Sequence, residues 1–157
     1  MKKITPFLLF DGQAEEAARF YVALLPDSQI DRVTHWPADA QDGPAGEVLT
    51  VEFTFGGTPF VALNGPKFPF TEAVSFQIAC ADQAEVDRLW AALSANGTEG
   101  QCGWLKDRWG VSWQVTPTRL LELISDPEPK RASRAMEAMM KMSKINIAEV
   151  ELAADGA

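Results

Sequence analysis

Histidine is almost absent from this sequence, which contains a single one, His35, among 157 residues. Divalent transition metals in proteins favour imidazole, thiolate and carboxylate ligands. His35 stands beside Trp36 in a segment that alternates like a half-buried strand. We therefore expect His35 to be a packing or surface residue rather than a metal ligand.

Cysteine is also scarce: the sequence has two, Cys80 and Cys102, which could in principle form one disulfide. A chain with a sizeable core in a reducing compartment does not need such a bond, so we predict two free thiols. Cys102 lies close to Trp104 in sequence, but no histidine accompanies it to act as a base. A nucleophilic role for Cys102 is therefore disfavoured, and no catalytic residue is assigned.

Long apolar runs and an excess of positive charge are both missing. No stretch approaches the roughly 20 apolar residues of a membrane-spanning helix, and no small-residue cleavage site follows the short apolar stretch near the start. Lysine and arginine number 14 against 22 aspartates and glutamates, a formal net charge of −8 that repels nucleic-acid phosphates. We predict a cytoplasmic protein with neither membrane nor nucleic-acid partners.

The sequence does contain enough apolar residues, 46%, for one core, and its length predicts a single domain over residues 1–157. A first module covers about residues 4–64. Its elements are predicted from apolar periodicity and from the glycine turn Gly56-Gly57. They are a strand over Ile4–Phe10, a helix from Ala14 to Leu25, a strand over Gln29–Trp36, and hairpin strands over Val48–Phe55 and Thr58–Asn64.

The same order of elements begins again after Gly65-Pro66 and forms a second module over about residues 74–117. Asp82 and Glu85 have the spacing of a capping box at the start of its helix. The predicted elements are a strand over Val74–Ala81, a helix with the apolar stripe Val86, Leu89, Trp90 and Leu93, a segment over Gly100–Asp107, and a strand over Val111–Thr116. The repeat predicts an α+β fold in which the apolar faces of two sheets are covered.

A C-terminal helical segment is predicted over about residues 118–154. Pro129 suits the first turn of a helix, and Met136, Met139 and Met140 then follow at helical spacing. Methionine fills irregular gaps in cores and interfaces. We therefore expect this segment to dock on the body of the protein or on a second subunit rather than to bind a cofactor.

Four stretches of the chain, between Ile4 and about Glu151, resemble a known family. They read ITPFLLFDGQAEEAARFY, VSFQIACADQAEVDRLW, TEGQCGWLKDRWGVSWQV and DPEPKRASRAMEAMMKMSKINIAEVE. They are similar to the PhnB-like branch of the glyoxalase/bleomycin resistance/extradiol dioxygenase (vicinal oxygen chelate) superfamily, whose members often carry the description 3-demethylubiquinone-9 3-methyltransferase. The resemblance implies a homodimer with two paired βαβββ modules in each chain that enclose a cavity between curved sheets, to which the C-terminal helical extension predicted above is added.

In metal-using members of that superfamily, the ligands are typically His and Glu on the first and last strands of the modules. The resemblance places Ser75 and Gln114 at two of these positions, and Pro6 with Ala62 or Asn64 at the others. None of these side chains is an imidazole or a carboxylate. We therefore predict no metal and no cofactor at the family position.

Polar residues interrupt the apolar strands of the second module at a period of two. Ser75 and Gln77 share one strand face, and Ser112, Gln114 and Thr116 share another. These side chains could face solvent, satisfy one another inside a closed core, or orient a ligand in a pocket. The candidate pocket residues are Phe7, Asn64, Ser75, Gln77, Trp104 and Gln114.

Two nearby residues are expected to have other roles. Trp113 should point toward the helices, away from Gln114. Asp107 and Arg108 precede the turn at Trp109-Gly110, where charged residues commonly keep a hairpin soluble.

The methyltransferase description has little support in the sequence, because no glycine-rich turn and no alternating parallel α/β pattern is present to hold a nucleoside cofactor. We therefore favour a protein that binds a small organic molecule in the cup between its sheets without the usual metal. The alternative is a lyase, isomerase or dioxygenase-like enzyme, which stoichiometric metal in the dialysed protein would favour. A third possibility is a dimeric scaffold whose own side chains fill the pocket.

Overall fold

A computed structural model describes residues 2–157. The chain divides into two compact units, with the boundary between Pro69 and Phe70. Each unit contains a four-stranded mixed sheet, which confirms the α+β class predicted from the repeat and the two βαβββ modules implied by the resemblance. Among residues 2–157, the helices are all too short or too polar to cross a membrane.

The first unit carries one helix on a sheet whose strand order is β1-β4-β3-β2. Strands β1 and β4 are parallel, and the other neighbours are antiparallel. The elements are β1 (Phe7–Phe10), α1 (Ala14–Val22), β2 (Gln29–His35), β3 (Val48–Phe55) and β4 (Thr58–Asn64).

Helix α1 forms because small apolar residues recur on one of its faces, where Ala14, Ala17 and Ala18 are completely buried. These alanines allow the helix to approach the sheet closely. Tyr21 on the same face stacks on Phe53 of β3, with ring centroids 6.1 Å apart. The apolar face of α1 and the apolar face of the sheet thus pack against each other, as their sequence patterns predict.

The second unit begins with the same arrangement, with strand order β5-β8-β7-β6. Asp82 caps its helix by accepting a hydrogen bond from Glu85 N at 2.9 Å, and Glu85 Oε2 accepts one from Ala81 N at 2.7 Å. The predicted apolar stripe of this helix is buried. The elements are β5 (Phe76–Cys80), α2 (Gln83–Ser94), β6 (Thr98–Glu99), β7 (Trp104–Lys106) and β8 (Ser112–Pro117).

Three further helices complete this unit: α3 (Thr118–Ile124), α4 (Pro129–Met139) and α5 (Ile147–Ala154). They share a small core of their own, made of Leu120, Leu123, Ala135, Ile145, Val150 and Ala154. The side chain of Gln83 on α2 joins them to the body, because it donates to Ile145 O and accepts from Ile147 N. The C-terminal segment thus contacts the rest of the second unit, which is one of the two alternatives that the sequence left open.

Several predicted boundaries were wrong by two or three residues. Strand β1 begins at Phe7 rather than Ile4, because Pro6 has no N–H for the ladder and contributes only its carbonyl, which accepts from Val61 N. Helix α1 ends at Val22 rather than Leu25. Strand β5 begins at Phe76 rather than Val74, whose side chain is exposed.

Candidate functional site

The sheet of the second unit has one apolar and one polar side. On the apolar side, Ile78, Trp113 and Val115 are buried and the strands pack against α2. The predicted orientation of Trp113 toward the helices agrees with this. The opposite side, which we call the polar face, carries Gln77, Trp104, Lys106, Ser112, Gln114 and Thr116.

Two of the predicted residues meet at this face. Gln114 Nε2 donates a hydrogen bond to Ser75 Oγ at 2.8 Å, although Ser75 lies just before the start of β5. Gln77 is exposed beside them in register with Gln114, and Trp104 is in register with Gln114 on its other side. The structure thus brings together four of the predicted pocket residues: Ser75, Gln77, Trp104 and Gln114.

A pocket of about 220 Å³ opens next to this group, and Trp104 belongs to its lining. Ser112 also lines it, and the Ser112 side chain is only 2% exposed. Within residues 2–157, Ser112 Oγ is the buried side-chain oxygen that has no hydrogen-bond partner. Such an oxygen is costly to bury unless something supplies a hydrogen bond.

An ion pair lies at the same pocket. Lys106 Nζ and Glu72 Oε1 are 2.5 Å apart, and both side chains are partly exposed. The hydrogen bond from Lys106 lowers the pKa of the Glu72 carboxyl below its ordinary range. The pocket therefore offers a cation and an anion to a ligand at neutral pH, beside an aromatic wall and a buried hydroxyl.

The wall itself is shaped by the tip of the β6–β7 hairpin. Gly100 N donates to Trp104 O at 2.8 Å, and Trp104 N donates to Gln101 O at 3.0 Å. Cys102 and Gly103 between them have φ angles of +59° and +82°, in the left-handed region. Residues 100–104 (GQCGW) therefore form a tight turn that positions the Trp104 ring.

The expectation for Asp107 was wrong. Its side chain is 3% exposed, and Oδ1 accepts hydrogen bonds from Trp109 N at 2.9 Å and Val111 N at 3.0 Å. Oδ2 accepts one from Trp113 Nε1 at 2.8 Å. Asp107 organises the connection between β7 and β8, which carry Lys106 and Ser112. An aspartate two residues before the N–H of a tight turn is the signal that could have indicated this role.

The other two predicted pocket residues belong to the first unit. Phe7 is 59% exposed and points to the sheet face opposite Leu8 and Phe10. Asn64 Oδ1 accepts from Ala14 N at 2.9 Å, and Asn64 Nδ2 donates to Val48 O at 3.1 Å. Asn64 thus connects the start of α1 to β3, a structural role that uses both ends of its amide.

The donor set does not fit the metal that the superfamily resemblance implies. Ser75 and Gln114 offer a neutral hydroxyl and a neutral amide, and they bond to each other. Of the first-unit alternatives, Ala62 is completely buried and Asn64 is engaged as above. No group of three His, Cys, Asp or Glu side chains within residues 2–157 is arranged to hold a metal ion.

The two thiols are free and lie in different environments. Burial raises the pKa of the Cys80 thiol to about 12, with a further contribution from the charge of Glu85. Cys80 Sγ lies 3.6 Å from Ile78 O, to which it donates. Cys102 is half-buried in the hairpin tip.

We predict that iodoacetamide at pH 8 modifies Cys102 at least 100-fold faster than Cys80. At a pKa of about 12 only about one Cys80 in ten thousand is a thiolate at that pH, and its sulfur is inaccessible. Peptide mass spectrometry over a time course measures both rates. Labelling in concentrated urea is the control, because both cysteines should then react alike. Equal rates in the native protein would contradict the prediction.

Comparison with known proteins places this geometry in a family. Residues 2–116 match the family model described as 3-demethylubiquinone-9 3-methyltransferase. A Bacillus cereus protein described as a putative 3-demethylubiquinone-9 3-methyltransferase, PhnB protein, is 33% identical, with a TM-score of 0.67 over 74% of this chain and 99% of that one. No curated protein matches the sequence.

Two further solved structures show the same fold at lower identity. A Pseudomonas aeruginosa protein is 22% identical, with a TM-score of 0.59 over 74% of this chain and 98% of that one. The fosfomycin resistance protein FosX of Mesorhizobium loti is 12% identical, with a TM-score of 0.50 over 72% of this chain and 90% of that one. The C-terminal residues beyond 116 lie outside the family match. The chain belongs to the PhnB-like family described as 3-demethylubiquinone-9 3-methyltransferase.

Proposed function

We propose that this protein binds a small organic molecule at the pocket on the polar face of its second sheet, without a metal ion. The observation that carries the proposal is Ser112 Oγ, a buried hydroxyl without a partner in the pocket lining. Burying a hydroxyl without a partner costs free energy, and a ligand that hydrogen-bonds to it offsets that cost.

The other lining groups indicate the chemistry of the ligand. Trp104 provides an aromatic surface, and Lys106 and Glu72 provide opposite charges at 2.5 Å from each other. The volume of about 220 Å³ is below the roughly 300–1,000 Å³ of pockets for drug-sized molecules. We therefore expect a small polar molecule with an apolar or aromatic portion and a group that hydrogen-bonds to Ser112.

The pair Ser75 and Gln114 can contribute further hydrogen bonds. Their mutual bond uses one amide proton and one lone pair, so Gln114 Oε1 can accept and the Ser75 hydroxyl can donate. Both groups are neutral and orient a ligand rather than activate it. This supports binding over catalysis.

Methyl transfer is not the reaction that this fold suggests, in spite of the family's description. Each sheet contains one parallel pair of strands among antiparallel neighbours. The doubly wound parallel sheet and glycine-rich phosphate turn that cradle nucleoside cofactors are a different architecture. The homodimer and the cytoplasmic location inferred from the sequence stay predictions.

A thermal-shift screen with a library of small organic compounds tests the proposal on two serine variants. Ser112→Ala should leave the unliganded protein as stable as the wild type, or more stable by up to about 1 kcal/mol, because it removes a buried hydroxyl without a partner. The same variant should lose most of the stabilisation that binding compounds give the wild type.

Ser94→Ala is the matched control. Ser94 Oγ donates to Trp90 O at 2.6 Å in α2 and does not line the pocket. This variant should be less stable than the wild type but should keep its response to compounds. The proposal is wrong if no compound stabilises the wild type, or if the two serine variants respond to compounds equally.

A further inference from the structure

The tip of the β6–β7 hairpin, which carries Trp104, is hydrogen-bonded to residues that lie outside the part of the chain that matches the family model (the family core, residues 2–116). Cys102 N donates to Met142 O and Gly103 N donates to Ser143 O, both at 2.8 Å. Ser143 Oγ donates to Gly100 O at 2.5 Å. These three hydrogen bonds all come from the C-terminal segment, which lies beyond the family match that ends at residue 116.

The same segment is fastened on its other side to helix α2. Gln83 Nε2 donates to Ile145 O at 3.0 Å, and Ile147 N donates to Gln83 Oε1 at 2.9 Å. Lys144 Nζ lies 2.7 Å from Asp87 Oδ1. Residues 142–147, which we call the clamp, therefore bridge the hairpin tip and the body of the second unit.

The clamp also fills the space under the turn. Ile145 is completely buried, and a Cβ added to Gly103 would lie 3.1 Å from Ile145 Cγ1. Gly100 and Trp104, at the two ends of the tip, both line the pocket. The clamp is therefore hydrogen-bonded to the same turn whose two ends line the pocket.

We propose that the clamp is a positioning element for the ligand pocket, and that Ser143 is its positioning residue for the Trp104 wall. The inference rests on the proposed function for the identity of the pocket. The C-terminal segment of this protein then sets the shape of a site whose own residues all lie in the family core. Substitutions in residues 142–147 then change the geometry of the pocket without replacing any residue that lines it.

The test uses the full-length protein labelled with 5-fluorotryptophan, with the ¹⁹F resonance of Trp104 assigned by Trp104→Phe. Ser143→Ala should shift or broaden the Trp104 resonance and speed hydrogen exchange of the Cys102 and Gly103 amides at least tenfold. The resonances of Trp90 and Trp113 should stay in place. Ser143→Thr, which keeps the hydroxyl, should restore the wild-type spectrum and exchange rates.

Ser125→Ala is the matched control, because Ser125 Oγ also donates to a backbone carbonyl, Leu121 O, at 2.5 Å in the helical segment. Ser125 does not line the pocket, so this variant should leave the Trp104 resonance unchanged whatever its stability. An unchanged Trp104 resonance in Ser143→Ala, with exchange rates equal to those of Ser125→Ala, would overturn the inference. Neither readout requires a ligand, so a failed compound screen would refute the proposed function while leaving this test intact.

Discussion

Replacing Asp107 with alanine is expected to lower the free energy of unfolding by about 3–5 kcal/mol. The change removes the carboxylate that accepts hydrogen bonds from Trp109 N, Val111 N and Trp113 Nε1, so the energy of these three bonds is lost. Denaturation in urea, followed by circular dichroism, measures the loss. The effect should be among the largest of any single substitution in the second unit.

Two further variants separate the contributions at this position. Asp107→Asn keeps an oxygen for the backbone N–H groups but presents an amide to Trp113 Nε1, so an intermediate loss is expected. Glu137→Ala removes an exposed carboxylate from α4 and should change stability by less than about 0.5 kcal/mol. A loss below about 1 kcal/mol in Asp107→Ala would restore the view that this residue only solubilises the hairpin.

Replacing Gly103 with alanine should cost roughly 3 kcal/mol of stability, for two separate reasons. Its φ of +82° is unfavourable for any residue with a Cβ. The new methyl group would also lie 2.9 Å from Val115 O, a backbone atom of β8 that cannot easily move. Chemical denaturation measures the total.

Gly12→Ala is the control: it has the cost of a positive φ without the steric clash, so the difference between the two variants measures the clash. Gly12 has a φ of +79°, close to that of Gly103, but a Cβ built on it meets no atom within 4 Å. Its substitution should therefore cost only the conformational part, about 1–2 kcal/mol. Equal losses in the two variants would show that the turn relaxes freely around the added methyl group.

Both predictions concern the support of the pocket rather than its lining. Asp107 holds the connection between two strands of the polar face, and Gly103 allows the hairpin tip to lie against β8 and the clamp. Both residues lie in TEGQCGWLKDRWGVSWQV, one of the four stretches that carry the family resemblance, and each has a structural role there.

The proximity of Ser75 and Gln114 could be predicted from the sequence. The residues are 39 positions apart, and the resemblance placed both of them at ligand positions of one metal site. Their hydrogen bond shows that the positions are indeed neighbours. It also means that mutual satisfaction, one of the alternatives that the sequence left open, accounts for part of their polarity.

Ser112 and Asp107 show where sequence reasoning fails. Both are polar residues near a turn, and a strand period of two places Ser112 on the polar face without saying whether its hydroxyl is buried. Burial and hydrogen bonding depend on which other segments cover the face, a matter of long-range packing. The sequence therefore indicated the face correctly but neither the orphaned oxygen nor the buried carboxylate.

The sequence by itself determined the repeat, the α+β class, the cap at Asp82 and the buried stripe of α2, because each follows from periodicity or spacing over a few residues. The tertiary structure decided which polar groups find partners. Asn64 accepts a hydrogen bond from the first residue of α1, and Asp107 accepts one from Trp113. The hydroxyl of Ser112 has no partner within the described residues. Hydrogen bonds between distant segments depend on the folded backbone, so no local pattern encodes them.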